Sequence, residues 1–175
     1  VSIPLGVLTA VYQNKGIDYF IRFLTFFSIS IPNFWLGLLL IYLFSVKLGI
    51  FNVISGSDLK GMILPMITLA LPLMGAYIRQ IRTAVLEELN KDYVIGAMSR
   101  GLSQKEIIFK HVLPNTFSSI VTLLGLSIGH LLGGTAIVET IFSYQGIGSM
   151  IVEAIRVRDY PIIQGYVVWM AVIYV

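Results

Sequence analysis

Residues 23 to 46, FLTFFSISIPNFWLGLLLIYLFSV, contain no charged side chain. A helix crossing about 30 Å of hydrocarbon needs roughly 20 consecutive apolar residues, so this run alone is long enough to span a bilayer. Residues 61 to 78, GMILPMITLALPLMGAYI, form a second uncharged run between Lys60 and Arg79. From Val112 to Val138 only His130 breaks the apolar character, Tyr160 to Val175 opens a further run, and Val1 to Tyr12 reads as the tail of another. Three complete spans and two partial ones are therefore expected. Backbone amides and carbonyls inside a bilayer must bond within their own segment, which makes these spans helices. The runs are too continuously apolar for the alternating strands of a membrane barrel. The expected fold class is all-α, a polytopic transmembrane helical bundle, read as a single membrane domain over residues 1–175.

The rest of the composition agrees. Hydrophobic residues make up 57% of the chain and charged residues 12%, about half the share in a soluble domain. That is too little charge to wet a globule of this size, and a chain without cysteine is not a disulfide scaffold. A formal net charge of +3, scattered along the chain, argues against a nucleic-acid partner. Both ends fall inside apolar runs with no signal-peptide pattern, so they read as spans cut at a boundary.

Lysines and arginines orient the bundle. Lys15 and Arg22 lie in the first loop, and Arg79, Arg82, Lys91, Arg100, Lys105 and Lys110 in the third. Lys47 and Lys60 lie in the second, and Arg156 and Arg158 in the fourth. The basic excess puts the first and third loops in the cytoplasm of a multi-pass protein of the cell (plasma or inner) membrane.

The loop from about 79 to 114 carries most of the local signals. Leu86, Leu89, Tyr93 and Ala97 recur at helical spacing. Gly101 suits the left-handed residue that ends a helix. Ser103 and Glu106 form a capping box for a second helix, with Leu102 and Ile107 at the staple positions. Pro114 is expected to stop that helix. Two amphipathic helices joined by a tight bend follow. They would either rest on the lipid interface or dock a cytoplasmic partner and pass motion to the spans.

Gly101, followed after nine residues by His111-Val112-Leu113-Pro114, resembles the cytoplasmic motif EAA-x3-G-x9-I-x-LP of ABC importer permeases. Ala97 falls on its last Ala, while Ile95, Gly96 and His111 depart from it. The stretches SIPNFWLGLLLIYLF, DYVIGAMSRGLS, TLLGLSIGHLLGGTAIVETIFSYQGIG and RDYPIIQG are similar to the dipeptide, oligopeptide and nickel permeases, in order along nearly the whole chain. The likeness is to the first-named permease of each such system. It implies the type I ABC importer permease fold, with a first spanning helix, its external segment and some C-terminal turns lying beyond this sequence. It implies Ala97, Arg100, Gly101, Leu102, Leu113 and Pro114 as the surface that meets an ATPase subunit. The implied partners are a homologous second permease subunit, two cytoplasmic ATP-binding subunits, an extracytoplasmic substrate-binding protein and membrane lipid. The cargo would be a peptide, nickel or a metal chelate. A membrane scaffold or assembly subunit and an ion-coupled secondary transporter are the rival readings.

No catalytic set, cofactor motif or phosphate loop of the GxxxxGK type is present, so ATP hydrolysis is expected in separate subunits. Within the spans, His130 reads either as a helix-packing residue or, with Met66 or Met74, as a nickel relay. Thioether sulfur is a poor match for Ni(II), so no metal site is assigned. Gly125, Gly129 and Gly133 form a small-residue stripe for close helix packing or for a pathway wall. Pro32, Pro65 and Pro72 bend spans or merely pack, and Asn33 and Trp35 could face a path. Around Glu139 to Pro161, Gly146 and Gly148 mark a turn and MIVEAIRV a short amphipathic helix. Its charges read as a solvated rim or as a docking face for the binding protein.

Overall fold

The computed structural model of the chain describes residues 1–52 and 59–174, with the backbone alone at 130, 132–134 and 174. Among the described residues the ordered elements are all helical. They are α1 Ser2–Val11, α2 Gly16–Ser30, α3 Asn33–Leu40, α4 Leu59–Leu89, α5 Asp92–Ser99, α6 Gln104–Ile107, α7 Leu113–Gly134, α8 Ala136–Ile141, α9 Ile147–Val157 and α10 Tyr160–Tyr174. Two helical stretches are long and apolar enough to cross a membrane, Leu59–Leu89 and Gln104–Gly129. A third qualifies only if α2 and the stretch Asn33–Lys47 count as one broken span.

Of the two readings of Pro32, bending the span or merely packing, the break favours the first. α2 ends at Ser30, and Pro32 takes an extended conformation, φ −61° and ψ 139°, ahead of α3. Proline has no N–H to carry the helical ladder forward, and its ring disfavours helical geometry in the residue before it. α3 then widens into a π-helical segment at Ile41–Lys47. Its end is turned by Gly49 at φ +63°, and the Phe44 and Phe51 rings meet edge-to-face at 6.4 Å. Pro65 and Pro72, by contrast, sit inside α4 without ending it.

Pro114 also fails to stop its helix. α6 passes through a π-helical stretch, Ile108–Val112, directly into α7, with Pro114 in the first turn of α7. The widened turn is the device by which helices admit a proline without its ring striking the carbonyl one turn back.

The chain divides into two compact units. The first comprises residues 1–30 and 73–125. Its core is Ala10, Ile81, Val85, Val94, Ala97, Ile107, Val112 and Ile120, contributed by α1, α4, α5, α6 and α7 together with the π-helical stretch between the last two. The second comprises residues 31–72 and 126–175, with a core of Leu36, Leu40, Leu64, Val138 and Phe142. Large apolar side chains cover much of the remaining surface, among them Phe23, Phe26 and Phe27 of α2 and Trp169 of α10. In water such patches mark contact surfaces; on membrane helices they suit lipid or a neighbouring helix equally well.

Candidate functional site

The segment between α4 and α7 is built from its local sequence outward. α5 ends in a Schellman motif: the Leu102 N–H donates to the Ala97 carbonyl at 3.3 Å and the Gly101 N–H to the Met98 carbonyl at 2.9 Å. This closure needs a left-handed residue, and Gly101 supplies it at φ +81°. Two residues later the capping box forms as the spacing predicts. The Ser103 hydroxyl accepts from the Glu106 N–H at 3.3 Å, and the Glu106 carboxylate accepts from the Ser103 N–H at 3.2 Å. A C-terminal and an N-terminal cap thus share one turn, which fixes the angle between α5 and α6.

The inner face of this hairpin is welded to the spans. Val94, Ala97, Ile107 and Val112 are buried with Ile81 and Val85 of α4 and Ile120 of α7, and Leu86, Leu89, Tyr93 and Leu102 pack around them. The apolar stripe read from the sequence is this inner face. It is shared between the last turns of α4 and a separate α5, because the chain turns at Asn90 and Lys91. At that turn the Tyr93 hydroxyl donates to Glu88 at 2.7 Å, and Lys91 donates to the same carboxylate. Burial pushes the Tyr93 phenol above its ordinary range, and the hydrogen bond to Glu88 holds the Lys91 ammonium above its own.

The residues expected to meet an ATPase do not all reach the surface. Ala97 is 1% exposed and belongs to the core. Leu102 and Leu113 are half-buried, whereas Arg100, Gly101 and Pro114 are exposed. The hairpin brings Ala97, Gly101 and Leu102 together through its hydrogen bonds; Leu113 and Pro114 lie beyond α6, at the start of α7. Ile95, Met98 and Phe109 are large, apolar and more than half exposed on the same segment. They add an outer apolar surface that the motif alone did not mark.

Elsewhere, Asn33 is half-buried at the first residue of α3. Gly125 is exposed with open space where a Cβ would stand, so no packing contact among the described residues explains it, and Gly129 is half-buried. His130 and Gly133 lie in α7, but their side-chain positions fall outside the described residues. No cluster of three or more metal-ligating His, Cys, Asp or Glu residues occurs among the described residues.

One charged site, Asp18, escaped the sequence reading, and a second, Glu139, was grouped there with the rim charges. Asp18 is fully buried and takes both prongs of the Arg82 guanidinium, with the Asn14 N–H at 3.0 Å and Arg22 at 3.6 Å. Glu139 accepts the Ser149 N–H at 2.6 Å, closing the turn between α8 and α9. It is therefore engaged in a structural bond, while Glu153 and Arg156 form the kind of exposed ion pair expected at a rim, at 2.9 Å. The one signal for either site was an acid set in an apolar stretch.

Comparison with known proteins follows the same lines. Residues 2–175 match the family profile described as "Binding-protein-dependent transport system inner membrane component". The chain is 38% identical to the oligopeptide transport system permease protein AppB of Bacillus subtilis, covering all of this chain and 58% of that protein. It is 34% identical to the probable D,D-dipeptide transport system permease protein DdpB of Escherichia coli, over all of this chain and 60% of that one. It is 37% identical to the nickel import system permease protein NikB of Staphylococcus aureus, over 97% of this chain and 50% of that one. The chain thus spans between half and three fifths of the length of these curated relatives.

Proposed function

Because this chain belongs to the family of binding-protein-dependent transport system inner membrane components, we propose that it is the permease part of an ATP-driven ABC importer. Its cargo is a peptide, nickel or a metal chelate, delivered by an extracytoplasmic binding protein. It pairs with a homologous second permease, and two cytoplasmic ATP-binding subunits drive the pair. The protein crosses the membrane several times, and residues 79–114 face the cytoplasm, in keeping with the six basic residues gathered there. The whole chain acts as one permease domain.

The observation that carries this reading is the doubly capped hairpin around Gly101. Its exposed outer surface of Ile95, Met98, Arg100, Gly101 and Phe109 stands on an inner face packed into α4 and α7. A displacement imposed on that surface passes to both spans through packed side chains, because close-packed interiors shift between discrete arrangements and do not deform gradually. Ala97 serves as part of the weld, Leu102 as the link between weld and turn, and Arg100 and Gly101 as contact. Pro114 and Leu113 mark where the hairpin becomes a span.

The test is substitution of Gly101 by valine in the assembled transporter. A β-branched side chain opposes the left-handed turn, so ATP-dependent uptake should fall while the ATP-binding subunits still co-purify. Loss of co-purification together with uptake would point to a scaffold. Uptake driven by an ion gradient without ATP would point to a secondary transporter.

A further inference from the structure

Within the first unit, α4 and α7 enclose an open groove of about 500 Å³. The Tyr77 hydroxyl donates to the Leu123 carbonyl at 3.3 Å and ties the two walls together at one end. One wall presents Gln80, Thr83 and Glu87 and the other Ser118, Ser119 and Thr122, with Arg79 at the edge. All seven are exposed; Arg79, Gln80, Thr83 and Glu87 lie in the stretch 79–114 read above as cytoplasmic, and Ser118, Ser119 and Thr122 stand just beyond it, where α7 becomes a span.

α7 separates its surfaces by chemistry. Thr116 and Ile120 are buried, while Phe117, Val121, Leu124 and Ile128 form an exposed apolar face. By the 3.6-residue period, Ser119 and Thr122 lie on the other side of the helix from that face and Ser118 at its flank, with Leu126 exposed one turn further along the same side. Lipid covers the apolar face at no cost. It cannot cover the polar one cheaply, because hydrocarbon offers hydroxyl and amide groups no hydrogen-bonding partner. The Thr122 hydroxyl satisfies its own donor on the Ser118 carbonyl at 3.1 Å, and Thr83 does the same on Arg79 at 3.1 Å. Both hydroxyl oxygens keep acceptor capacity. Polar residues at such positions face either a water-filled cavity or another polar surface.

We propose that this groove is the cytoplasmic mouth of the translocation path, a water-filled wall for a hydrogen-bonding solute, with Ser118 and Thr122 as its central lining. The assignment rests on the importer reading above and adds to it the face along which cargo leaves. The hydroxyls at its centre replace water around a polar solute without holding it as a charge would, while Arg79 and Glu87 add one charge of each sign to the lining.

These 175 residues hold no cysteine, so single Ser118→Cys, Thr122→Cys, Phe117→Cys and Leu124→Cys variants are made in the assembled transporter, with every other cysteine of this subunit and its partners removed. Inside-out membrane vesicles are treated with a membrane-impermeant charged methanethiosulfonate. Thiols placed at 118 and 122 should label about ten-fold faster than those at 117 and 124, since each pKa unit that apolar surroundings add to a thiol removes about ten-fold of its reactive thiolate. A non-hydrolysable ATP analogue should slow labelling at 118 and 122 by closing the inner mouth. Equal rates on the two faces would overturn the proposal. So would capture of the neighbouring permease, in both nucleotide states, by a photo-crosslinker attached to the thiol of the Ser118→Cys or Thr122→Cys variant, which would make the groove a packing surface. ATP-dependent uptake of a labelled dipeptide, tetrapeptide or Ni²⁺ by the unlabelled variants is scored separately; if none is imported, the importer reading fails whatever the labelling shows.

Discussion

Asp18 of α2 and Arg82 of α4, 64 positions apart in the chain, meet through two hydrogen bonds of 2.9 Å each. The Asp18 side chain is 0% exposed and that of Arg82 16%. The carboxylate is out of water, and the guanidinium is mostly covered. The pair therefore joins two helices whose sequences give no hint of the partnership.

A buried pair of this kind costs most when only one member is removed: Arg82 loses its carboxylate, and Asp18 keeps only the Asn14 N–H and the longer contact to Arg22. Asp18→Ala and Arg82→Ala should each destabilise the chain by about 3–5 kcal/mol. Replacing both by apolar residues of similar volume should cost much less than the sum of the two. Thermal unfolding of the detergent-solubilised protein, read as a double-mutant cycle, checks this. Single losses below about 1 kcal/mol, the range of exposed pairs, would contradict it.

In the first unit, close helix contact lies at two isolated glycines. A Cβ at Gly6 would come within 2.7 Å of Ile81 Cγ2 and 2.8 Å of its Cβ, and one at Gly75 would strike the Ser28 hydroxyl and approach the Thr25 carbonyl at 3.0 Å. Ile81 is branched and 2% exposed, so it has nowhere to move. Gly6→Ala should cost about 1–3 kcal/mol by overpacking, and Gly75→Ala a similar amount. Gly125→Ala, with open space around it, should leave the stability of the isolated chain unchanged or raise it by a few tenths of a kcal/mol through helix propensity. The same unfolding assay compares the three. A large loss at Gly125 and none at Gly6 would reverse the assignment.

Gly146 and Glu139 are coupled by space as well as by hydrogen bonding. A Cβ at Gly146 would lie 2.5 and 2.6 Å from the Glu139 carboxylate oxygens, and that carboxylate holds the Ser149 N–H. Gly146→Ala and Glu139→Ala should each destabilise the α8–α9 turn. The double variant should lose less than the sum, by about 0.5–3 kcal/mol, since removing the carboxylate also removes the clash. Strict additivity in the unfolding cycle would show that the two do not touch.

Ser103 caps α6 through the Glu106 N–H. Ser103→Ala should cost about 1 kcal/mol, and Ser103→Asp should recover most of it. Hydrogen exchange of the amides at 103–106 in lipid nanodiscs reads the effect locally, as faster exchange in the alanine variant alone. Unchanged protection would mean the box contributes nothing to the turn.

What could be read directly were the features set by near neighbours. The cap pair Ser103–Glu106, the left-handed Gly101, the inner stripe of Leu86, Leu89, Tyr93 and Ala97, and the amphipathic α9 all depend on residues a few positions apart, and all are present. Prolines divide the cases. Pro32 breaks a run that hydrophobicity alone joins, Pro65 and Pro72 stay within α4, and Pro114 is absorbed by a π-helical turn. A proline forbids one hydrogen bond; whether the helix ends there depends on what the surrounding elements can do with the freed carbonyl.

Helical structure, residence in a membrane and the capped hairpin of the main charged loop all follow from the order of residues alone. Apolar run length and cap chemistry act locally and leave little choice. The pairing of Asp18 with Arg82, the inward face of Ala97, the close contacts at Gly6 and Gly75, and the groove shared by hydroxyls of α4 and α7 emerge only in three dimensions. Each of those depends on which faces of distant helices meet, and on nearly uniformly apolar helices many such meetings are close in energy until shape and a few polar partners select one.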